Sequence, residues 1–290
     1  MAFTIDLKEK VVLVTGVSSG IGLGVAREFA RAGADVAGCS RKAANDESIV
    51  TYVEAVESEG SRGLYVQADV TKEQDLEQLV RKVIDTFGRL DILVSNAGMN
   101  VFEGAEHCDE EHWRYNLDLN LASHWRLAKL CRPYLKQTKE GVILLMTSNH
   151  AFCTIPGCFP YNVTKTAITG LVHSLAIEWG PEIRTVGVAP GFIDTAGNDT
   201  WFNSFPDANA ERQRTVDHHP VKKLGTAEEV GALCVYLASP IACFISGTTV
   251  LMDGGRSALM QDTTVNINPQ QSFHIRKPSN SLSNRVITTI

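Results

Sequence analysis

The feature that most constrains the fold is an alternation of short, uniformly apolar runs with longer segments of helical periodicity. The apolar runs are VVLVT (11–15), ADVAGCS (34–40), GLYVQAD (63–69), LDILVSNAG (90–98), GVILLMTS (141–148), RTVGVAPG (184–191) and TTVLMDGG (248–255). Strands that are apolar on both faces are typical of a parallel sheet buried between helices. The alternation therefore predicts an α/β fold, a doubly wound parallel sheet of about seven strands with helices on both faces.

The helical segments lie between these runs and often end near a glycine, as helix C-caps do. They are 24–33, 75–88, the stretch around 111–136, 165–180 and 227–239. Residues 192–222 interrupt the alternation and predict a helical insertion that acts as a substrate lid. From Gln261 the chain turns polar and irregular, so we expect one catalytic domain over 1–260 and a C-terminal tail over 261–290.

Charge and cysteine usage limit the classes of partner and compartment. The chain has 27 basic and 33 acidic residues and a net charge of -6, which does not suggest a nucleic-acid or membrane surface. No signal peptide and no apolar run of about 18 residues is visible. The seven cysteines form no CxxC pair and no HExxH or HxxEH spacing occurs, so we expect a cytoplasmic protein without a metal site.

A glycine-rich turn follows the first predicted strand and opens the first predicted helix. Glycines at such a turn let the backbone approach a pyrophosphate, which the free N–H groups and positive dipole end of the helix then stabilise. The turn predicts a dinucleotide site formed by Gly16, Ser18, Ser19, Gly20, Ile21 and Gly22.

These motifs together resemble the short-chain dehydrogenase/reductase superfamily. The glycines follow the pattern TGxxxGxG, NAG (96–98) follows the fourth predicted strand, and Tyr161 and Lys165 form a YxxxK motif. The resemblance runs from about residue 8 to residue 257. It implies a single-domain, Rossmann-like catalytic fold that binds a nicotinamide dinucleotide.

The family's catalytic motif matches this sequence at Asn120, Ser148, Tyr161 and Lys165. An isolated YxxxK is more often a surface tyrosine beside a solvated lysine, but four matches in register favour catalysis. The resemblance implies that Tyr161 is the general acid/base and that Lys165 lowers its pKa and holds the nicotinamide ribose. Ser148 would bond the substrate oxygen, and Asn120 would hold a water in a proton relay.

The end of the second predicted strand bears on the choice of cofactor. A carboxylate there would bond the ribose 2′-hydroxyl of NAD, whereas this chain has Ser40 followed by Arg41 and Lys42. Two cations without an anion favour NADP(H), and NAD(H) is the alternative. The resemblance adds further cofactor positions, namely Asp69 and Val70 near adenine, Asn96, Ala97 and Gly98, and Pro190, Gly191, Ile193 and Thr195 near the nicotinamide.

The loop after Ser148 and the insertion at 192–222 are expected to determine which small carbonyl or alcohol compound binds. Their candidate substrate residues mix aromatic and polar groups: Asn149, His150, Phe152, Phe159, Trp201, Phe202, Phe205 and His218. Such a mixture suits a hydroxylated ring and a hydrophobic ketone almost equally.

The leading functional hypothesis is an NADP(H)-dependent oxidoreductase acting on a ketone or a secondary alcohol. An NAD-dependent sugar or polyol dehydrogenase is the alternative. We also considered a non-catalytic dinucleotide-binding sensor and a nucleotide-sugar epimerase or dehydratase. The intact Asn, Ser, Tyr and Lys set argues against the first, and the short C-terminal part argues against the second. By family analogy we expect a homotetramer, with a dimer as the next choice.

Overall fold

One parallel sheet of seven strands organises the chain, whose residues 4–259 are described by the computed structural model. The strand order is β3-β2-β1-β4-β5-β6-β7, and every pairing is parallel. The strands are β1 (Val11–Thr15), β2 (Asp35–Ser40), β3 (Gly63–Gln67), β4 (Ile92–Ser95), β5 (Gly141–Met146), β6 (Ile183–Pro190) and β7 (Thr248–Met252). The predicted parallel sheet is confirmed. The predicted tail over 261–290 lies outside the described residues.

Helices connect the strands and cover the sheet. They are α1 (Gly20–Arg31), α2 (Glu47–Glu57), α3 (Glu73–Phe87), α4 (Glu110–Leu117), α5 (Ser123–Gln137), α6 (Tyr161–Trp179), α7 (Ala196–Phe202), α8 (Ala208–Asp217) and α9 (Ala227–Ala238). A π-helical turn, Asp118–Ala122, joins α4 to α5. No helix in this described part of the chain is long and apolar enough to cross a membrane.

The core forms two clusters, which the alternating side chains of the strands separate. Along β1, Val12 and Val14 belong to one cluster, which also contains buried residues of α1, α2 and α9. Val11 and Leu13 belong to the other cluster, which contains buried residues of α3, α5 and α6. Because successive side chains of a strand point to opposite faces, the helices cover both faces of the sheet.

Two features of the fold were not predicted or were predicted too coarsely. Helix α2 was not among the predicted helices. Five of the seven strand runs were predicted too long at their carboxyl ends; for example, LDILVSNAG (90–98) contains a strand only over Ile92–Ser95. The insertion at 192–222 is helical, as predicted, since it contains α7 and α8. Its role as a lid stays a prediction.

Candidate active site

The predicted functional segments lie at the carboxyl ends of the parallel strands. The glycine loop follows β1, the NAG segment follows β4, Ser148 follows β5, and Pro190–Thr195 runs on from the end of β6. Because the carboxyl ends of parallel strands share one edge of a sheet, these segments lie along a single edge. Ligands of open α/β sheets bind at this edge.

The glycine loop has the geometry of an anion cradle. Gly16 has a φ of +79°, and a Cβ on Gly22 would lie 2.1 Å from the Gly16 carbonyl oxygen, so a side chain at Gly22 has no room. Helix α1 follows with Ser19 at its N-cap position. The side chain of Ser19 makes no capping hydrogen bond, and the first turn of the helix contains no acidic residue. The first N–H groups of α1 therefore remain free to bind a phosphate, whereas Asp46, for example, caps α2. These residues fit a dinucleotide pyrophosphate.

Asn96 braces the glycine loop against the end of β4. Its Nδ2 donates a hydrogen bond to the Thr15 carbonyl oxygen at 2.8 Å, and the Thr15 hydroxyl accepts from the backbone N–H groups of Asn96 and Ala97 at 2.9 and 2.8 Å. A Cβ on Gly16 would lie 3.0 Å from Asn96 Nδ2. The side chain of Asn96 thus shapes the cofactor side of the site from within the protein.

Ser148, Tyr161 and Lys165 lie together in buried surroundings. Tyr161 begins α6, and Lys165 follows one helical turn later, so their side chains project from the same face. Lys165 Nζ lies 5.5 Å from the centre of the Tyr161 ring and donates to the Met146 carbonyl oxygen at 3.0 Å. The Ser148 hydroxyl accepts from the backbone N–H of His150 at 3.2 Å, which orients the turn that carries it.

Burial shifts the pKa values of both ionisable groups toward their neutral forms. It raises the pKa of Tyr161 to about 12, against a smaller lowering by the nearby Ser148 hydroxyl. It lowers the pKa of Lys165 to about 8. Near neutral pH the protein alone therefore holds Tyr161 as a phenol that can donate a proton. The pKa lowering predicted from the sequence is not a property of the chain by itself.

Asn120 lies in the π-helical turn, and its buried side-chain amide forms hydrogen bonds with other groups of the protein. Its Oδ1 accepts from the Met99 N–H, and its Nδ2 donates to the Met99 carbonyl oxygen, both at 2.9 Å. Nδ2 also donates to Asn116 Oδ1 at 2.8 Å, and Asn116 in turn donates to the Pro160 carbonyl oxygen at 3.1 Å. Because Pro160 precedes Tyr161, this network positions the start of α6. The sequence analysis missed Asn116, although its i, i+4 spacing from Asn120 was a usable signal.

Gly98 lies where Asn120 and Lys165 converge. A Cβ at this position would lie 2.6 Å from Asn120 Oδ1 and 3.5 Å from Lys165 Nζ. The NAG segment therefore contacts the glycine loop at one end, through Asn96, and the catalytic candidates at the other.

Arg41 and Lys42 are exposed at the end of β2, but they differ in their partners. Lys42 Nζ lies 3.0 Å from an Asp46 carboxylate oxygen. Within residues 4–259, Arg41 has no carboxylate at ion-pair distance. The sequence analysis treated the two cations alike. Of these two, Lys42 has a carboxylate partner within residues 4–259 and Arg41 does not.

The remaining cofactor candidates lie in turns that the protein itself fixes. One Asp69 carboxylate oxygen accepts from the backbone and the hydroxyl of Thr71, at 3.0 and 2.8 Å, and Val70 is buried beside it. After β6, the Gly191 N–H donates to the Met252 carbonyl oxygen, and Ile193 pairs with Gly225. The segment ends at Thr195, which is the N-cap of α7. A Cβ on Gly20 would lie 3.4 Å from the Thr195 Cγ2 atom. Thr195 therefore borders the glycine loop, as its predicted role requires.

One group of substrate candidates surrounds Tyr161. The rings of Phe102 and His150 lie 5.4 and 6.0 Å from the Tyr161 ring and 6.0 Å from each other. Burial, together with the positive charge of Arg256, lowers the pKa of His150 and so favours its neutral ring. Phe102 was missed by the sequence analysis because it lies in an irregular loop without a motif. Asn149 begins the same turn as His150, and Phe152, which ends it, is half exposed.

The other substrate candidates belong to different environments. Phe159 stacks on Trp113 at 5.4 Å with nearly parallel rings. Trp201, Phe202 and Phe205 form an aromatic cluster with Phe192 on the insertion. The Nδ1 atom of His218 lies 2.6 Å from the Arg214 carbonyl oxygen, within the end of its own helix. In the part of the chain that the structure describes, no cluster of metal-ligating side chains occurs.

Comparisons with known proteins agree with this geometry. A family model described as enoyl-(acyl carrier protein) reductase matches residues 16–257. An uncharacterized oxidoreductase of Thermotoga maritima is 33% identical over 88% of this chain and 100% of its own length. Dehydrogenase/reductase SDR family member 4 of Homo sapiens is 35% identical over 86% of this chain and 88% of its own. The ligand-free aldohexose dehydrogenase structure of Thermoplasma acidophilum superposes with a TM-score of 0.81 at 27% identity, covering 91% of this chain and 100% of that one.

Proposed function

The chain belongs to the short-chain dehydrogenase/reductase superfamily, and we propose that it is an NADP(H)-dependent oxidoreductase that interconverts a carbonyl and a secondary alcohol. The observation that carries this proposal is the buried group of Ser148, Tyr161 and Lys165, linked through Gly98 and Asn96 to the uncapped start of α1. A bound nicotinamide dinucleotide would supply or accept the hydride.

The glycine loop and the start of α1 would bind the pyrophosphate through backbone N–H groups. Arg41 would bind the 2′-phosphate of NADP(H), because its guanidinium is exposed and has no carboxylate partner in residues 4–259. Asp69 and Val70 would border the adenine, and Ala97 and Gly98 the middle of the cofactor. Lys165 would hold the nicotinamide ribose, and the segment from Pro190 through Gly191 and Ile193 to Thr195 would meet the carboxamide.

During reduction, the Tyr161 hydroxyl would donate its proton to the carbonyl oxygen of the substrate as the hydride arrives at carbon. The Ser148 hydroxyl would donate a hydrogen bond to the same oxygen and stabilise its developing negative charge. Because burial raises the pKa of Tyr161 to about 12, the phenol keeps its proton near neutral pH. A protonated phenol is the form that carbonyl reduction requires of a general acid.

The side-chain amide of Asn120 is hydrogen-bonded to other protein groups. This supports a role in positioning Tyr161, in addition to the water-holding role that the family pattern implies. Its bonds to Met99 and Asn116 connect the NAG segment to Pro160, and hence to Tyr161. The ring of His150 supports a substrate contact, since it lies beside the Tyr161 ring.

Calorimetric titration with NADPH and NADH tests the cofactor assignment without knowledge of the substrate. We expect NADPH to bind at least about tenfold more tightly, since a charge-assisted contact to a phosphate contributes about 1.5–3 kcal/mol. Arg41→Ala should remove this preference, and Arg81→Ala, which removes an exposed arginine of α3, serves as the matched control. A preference for NADH would overturn the NADP(H) assignment.

Turnover of a carbonyl panel with Tyr161→Phe tests the catalytic assignment. Turnover should fall below about a tenth of wild type, because general acid catalysis contributes 10²–10⁴-fold. Cofactor affinity should change little. Tyr236→Phe, on half-exposed Tyr236 of α9, is the control that should leave both unchanged. Activity of Tyr161→Phe above a tenth would contradict the assignment.

An NAD-dependent sugar or polyol dehydrogenase is the second candidate. The structural similarity to an aldohexose dehydrogenase favours it, at a TM-score of 0.81. Tighter binding of NADH than NADPH, followed by oxidation of aldohexoses or polyols with NAD, would support this candidate over the first.

We further propose that the protein is a homotetramer. Large apolar side chains are exposed on α5, on α6 and in the segment that precedes β7, including Trp125 at 45%, Ile177 at 81% and Phe244 at 101% relative exposure. Exposed apolar side chains suit surfaces that another subunit covers where they form contiguous patches. Light scattering coupled to size-exclusion chromatography should give four times the mass of the 31.6 kDa chain. A monomeric or a dimeric mass would contradict the homotetramer.

A further inference from the structure

Side chains of β3 hold the backbone segment that carries the two cations at the end of β2. Three successive carbonyl oxygens of this segment each lie within hydrogen-bond distance of a β3 side chain. Tyr65 Oη lies 3.1 Å from the Ser40 carbonyl oxygen and 2.5 Å from that of Lys42. Gln67 Nε2 donates to the Arg41 carbonyl oxygen at 3.0 Å. We refer to Tyr65 and Gln67 as the β3 clamp.

The Ser40 hydroxyl closes a ring of hydrogen bonds within this arrangement. Its Oγ lies 2.9 Å from Tyr65 Oη and accepts from the Lys42 N–H at 3.2 Å. A phenol has one proton to donate, and Lys42 presents the nearer carbonyl oxygen, so Tyr65 donates to Lys42 and accepts from Ser40. The proton of the Ser40 hydroxyl is therefore used within the protein and is not free to be donated to a ribose hydroxyl.

The clamp also defines how the two cations are presented. Lys42 is turned toward Asp46, whose carboxylate also caps α2 through the Ser48 N–H. Arg41 extends from the middle of the clamped segment and is exposed. A backbone fixed at the residues before and after Arg41 leaves only the arginine side chain to be ordered when an anion binds. Preorganisation of this kind raises affinity by reducing the entropy lost on binding.

We propose that Tyr65 and Gln67 are positioning residues for cofactor selectivity, which hold Ser40–Lys42 so that Arg41 is directed at the 2′-phosphate of NADP(H). The proposal rests on the proposed function, since it requires Arg41 to bind that phosphate. Neither clamp residue needs to contact the cofactor itself.

A purely structural role is the competing explanation, because the Tyr65 ring also packs edge-on against the Tyr52 ring with centroids 6.3 Å apart. Tyr65→Phe separates the two, since it keeps the ring and removes only the hydroxyl. Gln67→Met keeps the length of an exposed side chain and removes only its donor. Tyr236→Phe is the matched control for loss of a phenolic hydroxyl elsewhere.

The test is calorimetric titration of the full-length protein and these variants with NADPH and, separately, NADH. We expect each clamp variant to weaken NADPH binding by about three- to tenfold, the range for one lost neutral hydrogen bond. NADH binding should stay within about twofold of wild type, because NADH lacks the 2′-phosphate. In an Arg41→Ala background, Tyr65→Phe should cause no further loss of NADPH affinity, since the two residues act through one contact.

The outcomes separate failure of this inference from failure of the cofactor assignment. If wild type prefers NADPH and Arg41→Ala loses that preference, while Tyr65→Phe and Gln67→Met keep it, the clamp alone is overturned. Equal weakening of NADPH and NADH by the clamp variants would show a structural role and also overturn it. If wild type does not prefer NADPH, the cofactor assignment is overturned and the clamp falls with it.

Discussion

Replacing Gly98 with alanine tests whether the catalytic candidates are as closely packed as the structure shows. A Cβ at this position would lie 2.6 Å from Asn120 Oδ1, whereas ordinary van der Waals contact begins at 3.4 Å. The φ of Gly98 is not positive, so alanine there meets a steric conflict and no backbone strain. The Asn120 oxygen would have to retreat by roughly 0.8 Å.

The retreat breaks specific contacts, from which the cost follows. Asn120 Oδ1 accepts from the Met99 N–H at 2.9 Å, and a shift of this size takes that bond beyond hydrogen-bond range. Partial loss of the bonds from Nδ2 to Met99 and Asn116 adds to it. At about 0.5–1.5 kcal/mol for each bond, we expect Gly98→Ala to lower the free energy of unfolding by about 1–3 kcal/mol. The melting temperature should fall by about 2–4 °C for each kcal/mol.

Activity should fall more steeply than stability. The same shift disturbs the link from Asn120 through Asn116 to the residue before Tyr161, and the new methyl group comes into van der Waals contact with Lys165 Nζ at 3.5 Å. Misplacement of catalytic groups by about 1 Å can cost up to 10²-fold, so we expect turnover to drop by about ten- to a hundredfold. Thermal denaturation and steady-state turnover of the same preparation measure both effects.

Gly170→Ala is the matched control for this prediction. Gly170 is exposed within α6, and a Cβ there would meet nothing within 4 Å. Alanine at this position should stabilise the helix by about 0.5–1 kcal/mol and leave turnover unchanged. If Gly98→Ala melted and turned over like wild type, the close approach of Gly98, Asn120 and Lys165 would be refuted.

Two further predictions concern pH and the insertion. Because burial lowers the pKa of Lys165 to about 8, Lys165 should contribute a rise in the free energy of unfolding between about pH 8 and the ordinary lysine value of 10.5, whereas the buried thiols of Cys39 and Cys234, whose pKa values burial raises, contribute a fall. Chemical denaturation of wild type and Lys165→Met across this range isolates the lysine contribution, which the variant should lose; equal slopes for the two proteins would contradict the burial of the ammonium. Arg212 joins α8 to Asp194 and Asp199 by ion pairs of 2.7 Å. Arg212→Met should therefore raise the KM for substrate by up to about fivefold. The melting temperature should change little, because exposed ion pairs contribute about 1 kcal/mol or less. An unchanged KM would show that the insertion does not take part in substrate binding.

The sheet could be predicted from the sequence because its strands are apolar on both faces, a pattern that few other structures share. Helix α2 was harder to recognise. Its buried residues, among them Ile49, Tyr52 and Val56, do recur at helical spacing, but the β-branched side chains in this segment lower its helix propensity. The run that contains β4 was predicted too long because Asn96 and Ala97 leave the sheet to bond Thr15, which lies 81 and 82 positions away in the sequence.

The catalytic candidates could be predicted because Ser148, Tyr161 and Lys165 have fixed spacings along the chain. Apart from the i, i+4 spacing of Asn116 and Asn120, spacing along the chain gave no signal for the residues that hold them. Asn116 acts through the Pro160 carbonyl oxygen, 44 positions away, and Tyr65 acts on carbonyl oxygens more than 20 positions away. Such contacts depend on which strands and loops become neighbours, and spacing along the chain does not encode that.

The environment of Tyr161 also limits what Lys165 can do alone. To serve as a base at pH 7, a phenol with a pKa of about 12 needs about 7 kcal/mol of differential stabilisation. An ammonium about 4 Å from the phenolate would supply only about 4 kcal/mol at an effective dielectric constant near 20. Lys165 is directed instead at the Met146 carbonyl oxygen, and its own pKa is lowered to about 8. Oxidation near neutral pH therefore requires a second positive charge beside the phenol, whereas reduction uses the protonated phenol that the chain already provides.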